Sequence, residues 1–414
     1  MGVIVRTTSG QVEGTVAEGV HAFLGVPYAA PPFGVHRFAA PAPPVPWEGV
    51  RQAVAHGPAA PQPASTDIGL FAPDVFAVGD DCLNLDVHTP DPGSAGLPVL
   101  VWIHGGAFAI GANSAAWHQG HRFARDGVVC VAINYRLGFE GFLALEGAPL
   151  NRGVLDWLAA LEWVRDNVAA FGGDPSRVTI AGQSAGGAAV ATLMSMPRAA
   201  DLFHRAIVMS GSATLVATRE EAEAYAKEVA ARLGIRPTRD DFAALTPQAL
   251  VDAQPPPLTG QAGGLNESVP LKPVVDGDLL HGPPLGALRA DVPLLVGCTS
   301  QEADLFVRRA GFDEAAAQAV TRHLFGRETQ WIAEARPAHT YEFRWESPVE
   351  SPVGGGRVGA VHNLDLPFVF DVLDAPGVAR TAGTPPQALA DAMHGTWVRF
   401  VSGHPLPAEK LIFE

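Results

Sequence analysis

The chain has 414 residues, a net charge of −15 and no run of 18 or more apolar residues. A nucleic-acid partner needs clustered Lys and Arg, and a membrane-spanning helix needs about 20 apolar residues in succession, so both are excluded as expectations. With 47% hydrophobic and 17% charged residues, the composition is that of a globular protein with a sizeable core.

Residues 1–95 are expected to hold N-terminal strands and, within 27–63, an irregular wrapping arm rich in Pro and Ala (YAAPPFGVHRFAAPAPPVPW). LPVLVWIHGG (97–106) and GVVCVAINY (127–135) follow as short apolar runs that end at glycine or polar turns, which is how buried parallel strands read. Next, Leu158, Leu161, Val164 and Val168 recur at helical steps and the pattern stops at Gly172-Gly173, which predicts a core-facing helix. RVTIAG (177–182), RAIVMSG (205–211) and VPLLVGCT (292–299) are further strands, and the alternating Tyr341, Phe343 and Trp345 predict a late one. Leu389, Met393, Trp397 and Phe400 predict a C-terminal helix after Thr384-Pro385-Pro386. Repeated strand–helix–strand order implies an α/β class with a mostly parallel sheet covered on both faces. Two segments, 214–290 (Ala/Glu-rich helical text, then QPPPLTGQAGG) and 303–335, fit that pattern poorly and are expected to cover a site at the carboxyl edge of the sheet.

The three cysteines, Cys82, Cys130 and Cys298, are too few and too scattered for a disulfide framework, and MGVIVRTTSG lacks the apolar segment of a secretory signal. A cytoplasmic location is therefore expected.

Gly182-Gln183-Ser184-Ala185-Gly186 fits G-x-S-x-G between a strand and an Ala-rich helical run. In a nucleophile elbow the chain turns so sharply that small residues must flank the serine, and the amino end of the helix then favours developing negative charge. Taken alone, the pattern also suits a purely structural Gly/Ser/Ala turn. The stretch VWIHGGAF (101–108) supplies Gly105-Gly106, where backbone N–H groups can point unobstructed into a cavity as an oxyanion hole requires; a plain glycine turn leaving a strand is the alternative.

These segments resemble the type B carboxylesterases of the α/β-hydrolase fold, which include cholinesterases and bacterial p-nitrobenzyl-type esterases. The likeness is carried by AFLGVPYAAPPFGVHRF (22–38), DDCLNLDVHTP (80–90), WIHGGAF (102–108), INYRLG (133–138), FGGDPSRVTIAGQSAGG (171–187), LFHRAIVMSG (202–211) and GAVHNLDLPFVF (359–370). It implies one α/β-hydrolase domain over 1–414: a core at 96–213, cap or gorge segments at 214–290 and 303–335, and a histidine loop and C-terminal helix at 336–414. It also implies a triad of nucleophile Ser184, acid Glu302 and base His362, in the chain order the fold requires. The choice of His362 among 14 histidines comes from the resemblance, since spacing does not make it. The implied oxyanion hole is Gly105, Gly106 and Ala185, with Ala107 and Phe108 beside it. The implied activity is hydrolysis of small-molecule carboxylic esters through an acyl-enzyme, without cofactor or metal.

Other residues near this machinery admit two readings. Ser210 matches a family serine that supports the acid, or is a strand-end serine satisfied by backbone. Gln183 stands where the family most often has Glu, and is expected to alter selectivity or pH response. Asp276 lies near the gorge in relatives, or serves an Asp-Gly turn. His118 and His121 have metal-like spacing without a third ligand. Cys82 has no upstream cysteine to pair with and should be free and buried. Glu302 and His362 stand closer in sequence than the family pattern, which suggests a more open acyl or alcohol pocket. Two rival readings use the same residues: a non-catalytic binding protein of the fold, and a hydrolase of carbamates, amides, lactones or thioesters.

Overall fold

The computed structural model describes residues 2–63, 76–255, 269–353 and 355–414; most of QPPPLTGQAGG lies outside them. Its centre is a ten-stranded sheet made of β1 (Thr15–Ala17), β2 (Val20–Pro27), β3 (Asn84–Thr89), β4 (Leu97–Ile103), β5 (Val129–Ile133), β6 (Gly173–Gln183), β7 (Arg205–Met209), β8 (Leu294–Thr299), β9 (His339–Phe343) and β10 (Lys410–Phe413). Side by side these run β10, β9, β8, β7, β6, β4, β5, β3, β2, β1. Every pairing from β5 across to β10 is parallel, and β1, β2 and β3 add to the edge antiparallel. This is the α/β-hydrolase architecture expected from the sequence.

Alternation along the strands explains why both faces are covered. Val99, Val101 and Ile103 of β4 join one core with Trp157, Leu158 and Leu161, while Leu100 and Trp102 join another with Phe370, Met393 and Trp397. A strand buried on both faces loses the polar alternation of an open sheet and reads as a continuous apolar run. The covering helices include α1 (Arg152–Asn167), α2 (Ala185–Met194), α3 (Arg219–Leu233), α4 (Asp304–Arg309), α5 (Glu314–Val320), α6 (Arg327–Ala335) and α7 (Gln387–Val401).

The expected strands and helices are present, with differences at their ends and edges: the late strand stops at Phe343, before Trp345, and the helix over Leu158 to Val164 ends at Asn167, before Val168. Strand β6 begins four residues before the expected RVTIAG, because the Asp174–Ser176 turn is absorbed as a register irregularity against β4. The closing strand β10, which pairs with β9, had no place in the sequence reading. The arm after β2 is irregular for most of its length but not at Val50–Gln52, a strand that pairs in parallel with Gly10–Glu13 in a small separate sheet; the arm also plants Phe38 in the core and bonds Arg37 to the buried Glu140. All three cysteines are free and buried.

Candidate active site

The turn from β6 into α2 places Ser184 at φ 58° and ψ −122°, the only residue between Val178 and Met194 that is not buried. Such positive φ costs a non-glycine residue about 1–3 kcal/mol, and the surroundings hold it: the Ser184 N–H donates to the Met209 carbonyl at 2.9 Å, and its carbonyl accepts from the Ala188 N–H at 2.9 Å. Glycine at 186 is obligatory, because a Cβ there would stand 2.0 Å from the Ile103 carbonyl oxygen at the end of β4. The elbow is thus wedged against the strand that leads into HGG.

The HGG turn leans on the serine from the other side. A methyl at Gly105 would lie 3.1 Å from the Ser184 Cβ, and Gly106, Ala107 and Phe108 all take positive φ. Among the described residues the N–H groups of Gly105, Gly106 and Ala185 have no protein acceptor. Several bonds fix the turn. Gln62 grips Gly111 through both backbone groups at 2.8 and 2.9 Å, Gly138 donates to the Phe108 carbonyl at 2.7 Å, and Tyr135 donates to the His104 carbonyl at 2.9 Å. The Phe108 ring is buried against Phe142 and Trp157. His104 stacks on Tyr135, and burial pushes its imidazole down to about 4. The neutral ring donates its Nδ1 proton to the Gly105 carbonyl at 2.8 Å.

Glu302 follows β8 and is fully buried. Its Oε1 accepts from the Thr299 N–H at 2.7 Å and from the Ser210 hydroxyl, and its Oε2 accepts the Nδ1 proton of His362. Of its two readings, the hydroxyl of Ser210 is thus engaged with the acid and not with backbone, while its N–H donates to the Gly297 carbonyl at 2.7 Å. Phe306 of α4 and Phe325, in a π-helical turn between α5 and α6, pack on the imidazole with centroids at 5.8 and 5.2 Å. The 303–335 segment thus covers the histidine. The described part of 214–290 makes other contacts: it pairs Ala217-Thr218 with Val274-Val275 and bonds Leu285 to Ala213.

Besides Phe306, three residues that the sequence reading passed over belong to this neighbourhood. Gln301 fastens the histidine loop to the acid turn: its N–H donates to the Ala360 carbonyl at 3.0 Å, and its Oε1 accepts from the Ala360 N–H at 2.6 Å. Asp365, fully buried three residues past His362, accepts from the Tyr341 hydroxyl at 3.0 Å, and burial followed by the Glu302 charge pushes its carboxyl up to about 7. A lone Asp inside the apolar VHNLDLPFVF was the signal that could have drawn attention to it. Phe325 had none, because only folding brings it to the ring.

Gln301→Ala should lower kcat about 10–10²-fold with KM within about twofold, because a displaced imidazole affects the reaction more than ground-state binding. A steady-state comparison checks this, and a change confined to KM would contradict it.

The remaining candidates resolve without a site. Asp276 is engaged as a turn residue, its Oδ1 accepting from the N–H groups of Asp278, Leu279 and Leu280 at 3.0, 2.9 and 3.0 Å. His118 is buried between Trp102 and Phe370, whereas His121 faces His88. Among the described residues no group of three or more His, Cys, Asp or Glu is placed to hold a metal ion.

A strand–serine–helix elbow at the carboxyl edge of a parallel sheet, with a Glu–His pair carried on the loops that follow β8 and β9, defines an α/β hydrolase. The profile of the carboxylesterase family matches residues 2–327. The para-nitrobenzyl esterase of Bacillus subtilis is 35% identical over 454 aligned positions, covering 97% of this chain and 90% of the relative. The phenmedipham hydrolase of Pseudarthrobacter oxydans is also 35% identical, over 96% and 89% of the two chains. A solved p-nitrobenzyl (PNB) esterase structure superposes with a TM-score of 0.87 at 34% identity, covering 100% of this chain and 96% of its own. The chain belongs to the carboxylesterase family and is a serine carboxylic ester hydrolase. The alignment to the B. subtilis relative is longer than the present chain, so that relative carries segments absent here. Among the described residues no helix is long and apolar enough to cross a membrane.

Proposed function

We propose that Ser184 is the nucleophile, His362 its general base and Glu302 the carboxylate that orients the imidazole. The observation that carries this reading is the buried Glu302–His362 bond, with the imidazole 3.2 Å from the side chain of Gln183, the residue that precedes Ser184 in the elbow. His362 takes the Ser184 proton as the hydroxyl attacks the ester carbonyl, and returns it to the leaving alcohol. Glu302 stabilises the imidazolium formed between those steps. The N–H groups of Gly105, Gly106 and Ala185 receive the oxyanion; each donor of this kind is worth about 10²–10³ in rate. Water then cleaves the acyl-enzyme on Ser184 through the same base.

The substrate class follows from the walls. His362 hands its proton to the leaving alcohol, so Phe306 and Phe325, packed on that ring, line the alcohol side. We assign the chain to esters of apolar or aromatic alcohols, in keeping with the name of the p-nitrobenzyl relative. The short path from Glu302 to His362 favours an open pocket that accepts bulky acyl groups. A panel of p-nitrophenyl esters from C2 to C12, with an aryl carbamate and an anilide, tests the acyl side and the bond class, and butyrates of benzyl alcohol and methanol test the alcohol side. Turnover should extend across the longer acyl chains and exceed that of the carbamate and anilide. A sharp preference for acetate would overturn the open pocket. A cytoplasmic location is supported by the three free, buried thiols, which suit a reducing compartment.

A further inference from the structure

The chain that covers the histidine is pinned at two points, one on each side of Phe325. Before it, the hydroxyl oxygen of the buried Thr321 accepts from the Ala303 N–H at 3.0 Å, immediately after Glu302. After it, Glu328 in the first turn of α6 reaches the loop that follows β7: its Oε2 accepts from the Ala213 N–H at 3.0 Å and its Oε1 from the Thr214 hydroxyl. Between the anchors lies the π-helical turn Thr321–Gly326, a rare geometry frequent at functional sites, and it carries Phe325 onto the imidazole at 5.2 Å. Taking Phe325 as a wall of the alcohol side, as read above, we infer that Glu328 is a positioning residue for specificity. By tying the cover to the loop after β7 it holds Phe325 in place and sets the preference for aromatic over small alcohols.

Glu328 is 5% exposed, and a carboxylate is costly to bury unless its oxygens are met. Here both are met by neutral donors of a single loop, which makes the contact a directed tie between two segments. That loop is a firm base. It starts at Ser210, which bonds Glu302, and a Cβ at Gly187 of α2 would lie 2.9 Å from the Gly211 Cα, so the loop leaves the sheet packed against the elbow helix. Attachment of α6 to the body does not require Glu328, because Ile332, one turn on, is buried in the same core as Leu280, Val292 and Leu294. Apolar burial is non-directional, whereas hydrogen bonds fix a distance and an angle. The worth of an aromatic contact depends on the ring's placement, so the directed bond is what selectivity needs.

The test uses benzyl butyrate and methyl butyrate, followed by titration of the butyric acid released. Both esters give the same butyryl-enzyme, so the ratio of their kcat/KM values reads the alcohol alone. In Glu328→Ala the benzyl-to-methyl ratio should fall about fivefold, through loss on the benzyl ester, with methyl butyrate changing by less than about twofold. Glu328→Gln should restore the ratio, because its amide oxygen accepts from the Ala213 N–H and its amide N–H donates to the Thr214 hydroxyl. Phe325→Ala should lower the ratio at least as far, and adding Glu328→Ala to it should lower it no further. Equal losses on both esters, no restoration by Gln, or additive effects in the double variant would overturn the inference. Should Glu328→Ala fail to fold, Thr214→Val withdraws one of the two donors, and an unchanged ratio there overturns it equally. A Phe325→Ala variant that keeps the wild-type ratio instead removes the alcohol-side reading, and the inference falls with it.

Discussion

Ser184→Ala is expected to reduce kcat for p-nitrophenyl butyrate by about 10⁵–10⁶-fold while leaving the far-ultraviolet circular dichroism spectrum unchanged. The size of the effect follows from removal of the only group proposed to form the acyl-enzyme; the oxyanion donors and the pocket supply what is left. The fold should tolerate the change, because the interactions that hold the turn belong to the backbone: the 184 N–H to Met209, the 184 carbonyl to Ala188, and the packing of Gly186 against Ile103. Alanine still carries the positive φ that serine carries, so the strain is common to both proteins. Substantial turnover in a correctly folded variant would reject the assignment of the nucleophile.

The second large effect is on stability and is expected at Asp365. Its carboxyl holds its proton up to about pH 7 in the folded protein, against an ordinary value near 3.8, because burial and the neighbouring Glu302 charge both disfavour ionisation. Between these values the folded state binds a proton that the unfolded state has released, so the contribution of Asp365 to stability is greatest below about pH 4 and falls as pH rises to 7. A difference of about three pH units corresponds to about 4 kcal/mol. Asn is close to Asp in shape, stays neutral and can still accept from the Tyr341 hydroxyl. The unfolding free energy of Asp365→Asn relative to wild type should therefore climb between pH 4 and 7 and then level off. Titrations elsewhere in the chain are common to both proteins and cancel from that difference. A difference independent of pH would show that the carboxyl is already ionised in the folded state.

Much of the sheet was legible because its central strands are covered on both faces and leave unbroken apolar runs, as in VLVWI and AIVM. KLIF gave no comparable signal: a four-residue edge strand after a Pro-rich stretch has no periodicity to detect, and it takes its place only through β9. The elbow could be read locally, since its strand, glycines and helix are contiguous. The Glu302–His362 pair could not, because 60 residues separate partners whose meeting depends on the order of β8 and β9 in the sheet. There the likeness to a known family supplied what spacing lacked. Gln301 and Phe325 stayed hidden for the same reason, as their partners lie on other loops.

The fastening of the histidine loop bears on how this protein family can change. Gln301 holds Ala360 beside the acid turn, and Arg308, paired with Asp304 in α4, donates to the carbonyls of Gly355 and Arg357. The two stems are thus stitched to each other at their bases, independently of how much chain hangs between them. Helical material between Glu302 and His362 can then be lengthened, trimmed or exchanged as a cassette while the imidazole keeps its address. Pocket shape becomes a property of an interchangeable part, free to diverge without re-engineering the chemistry beneath it.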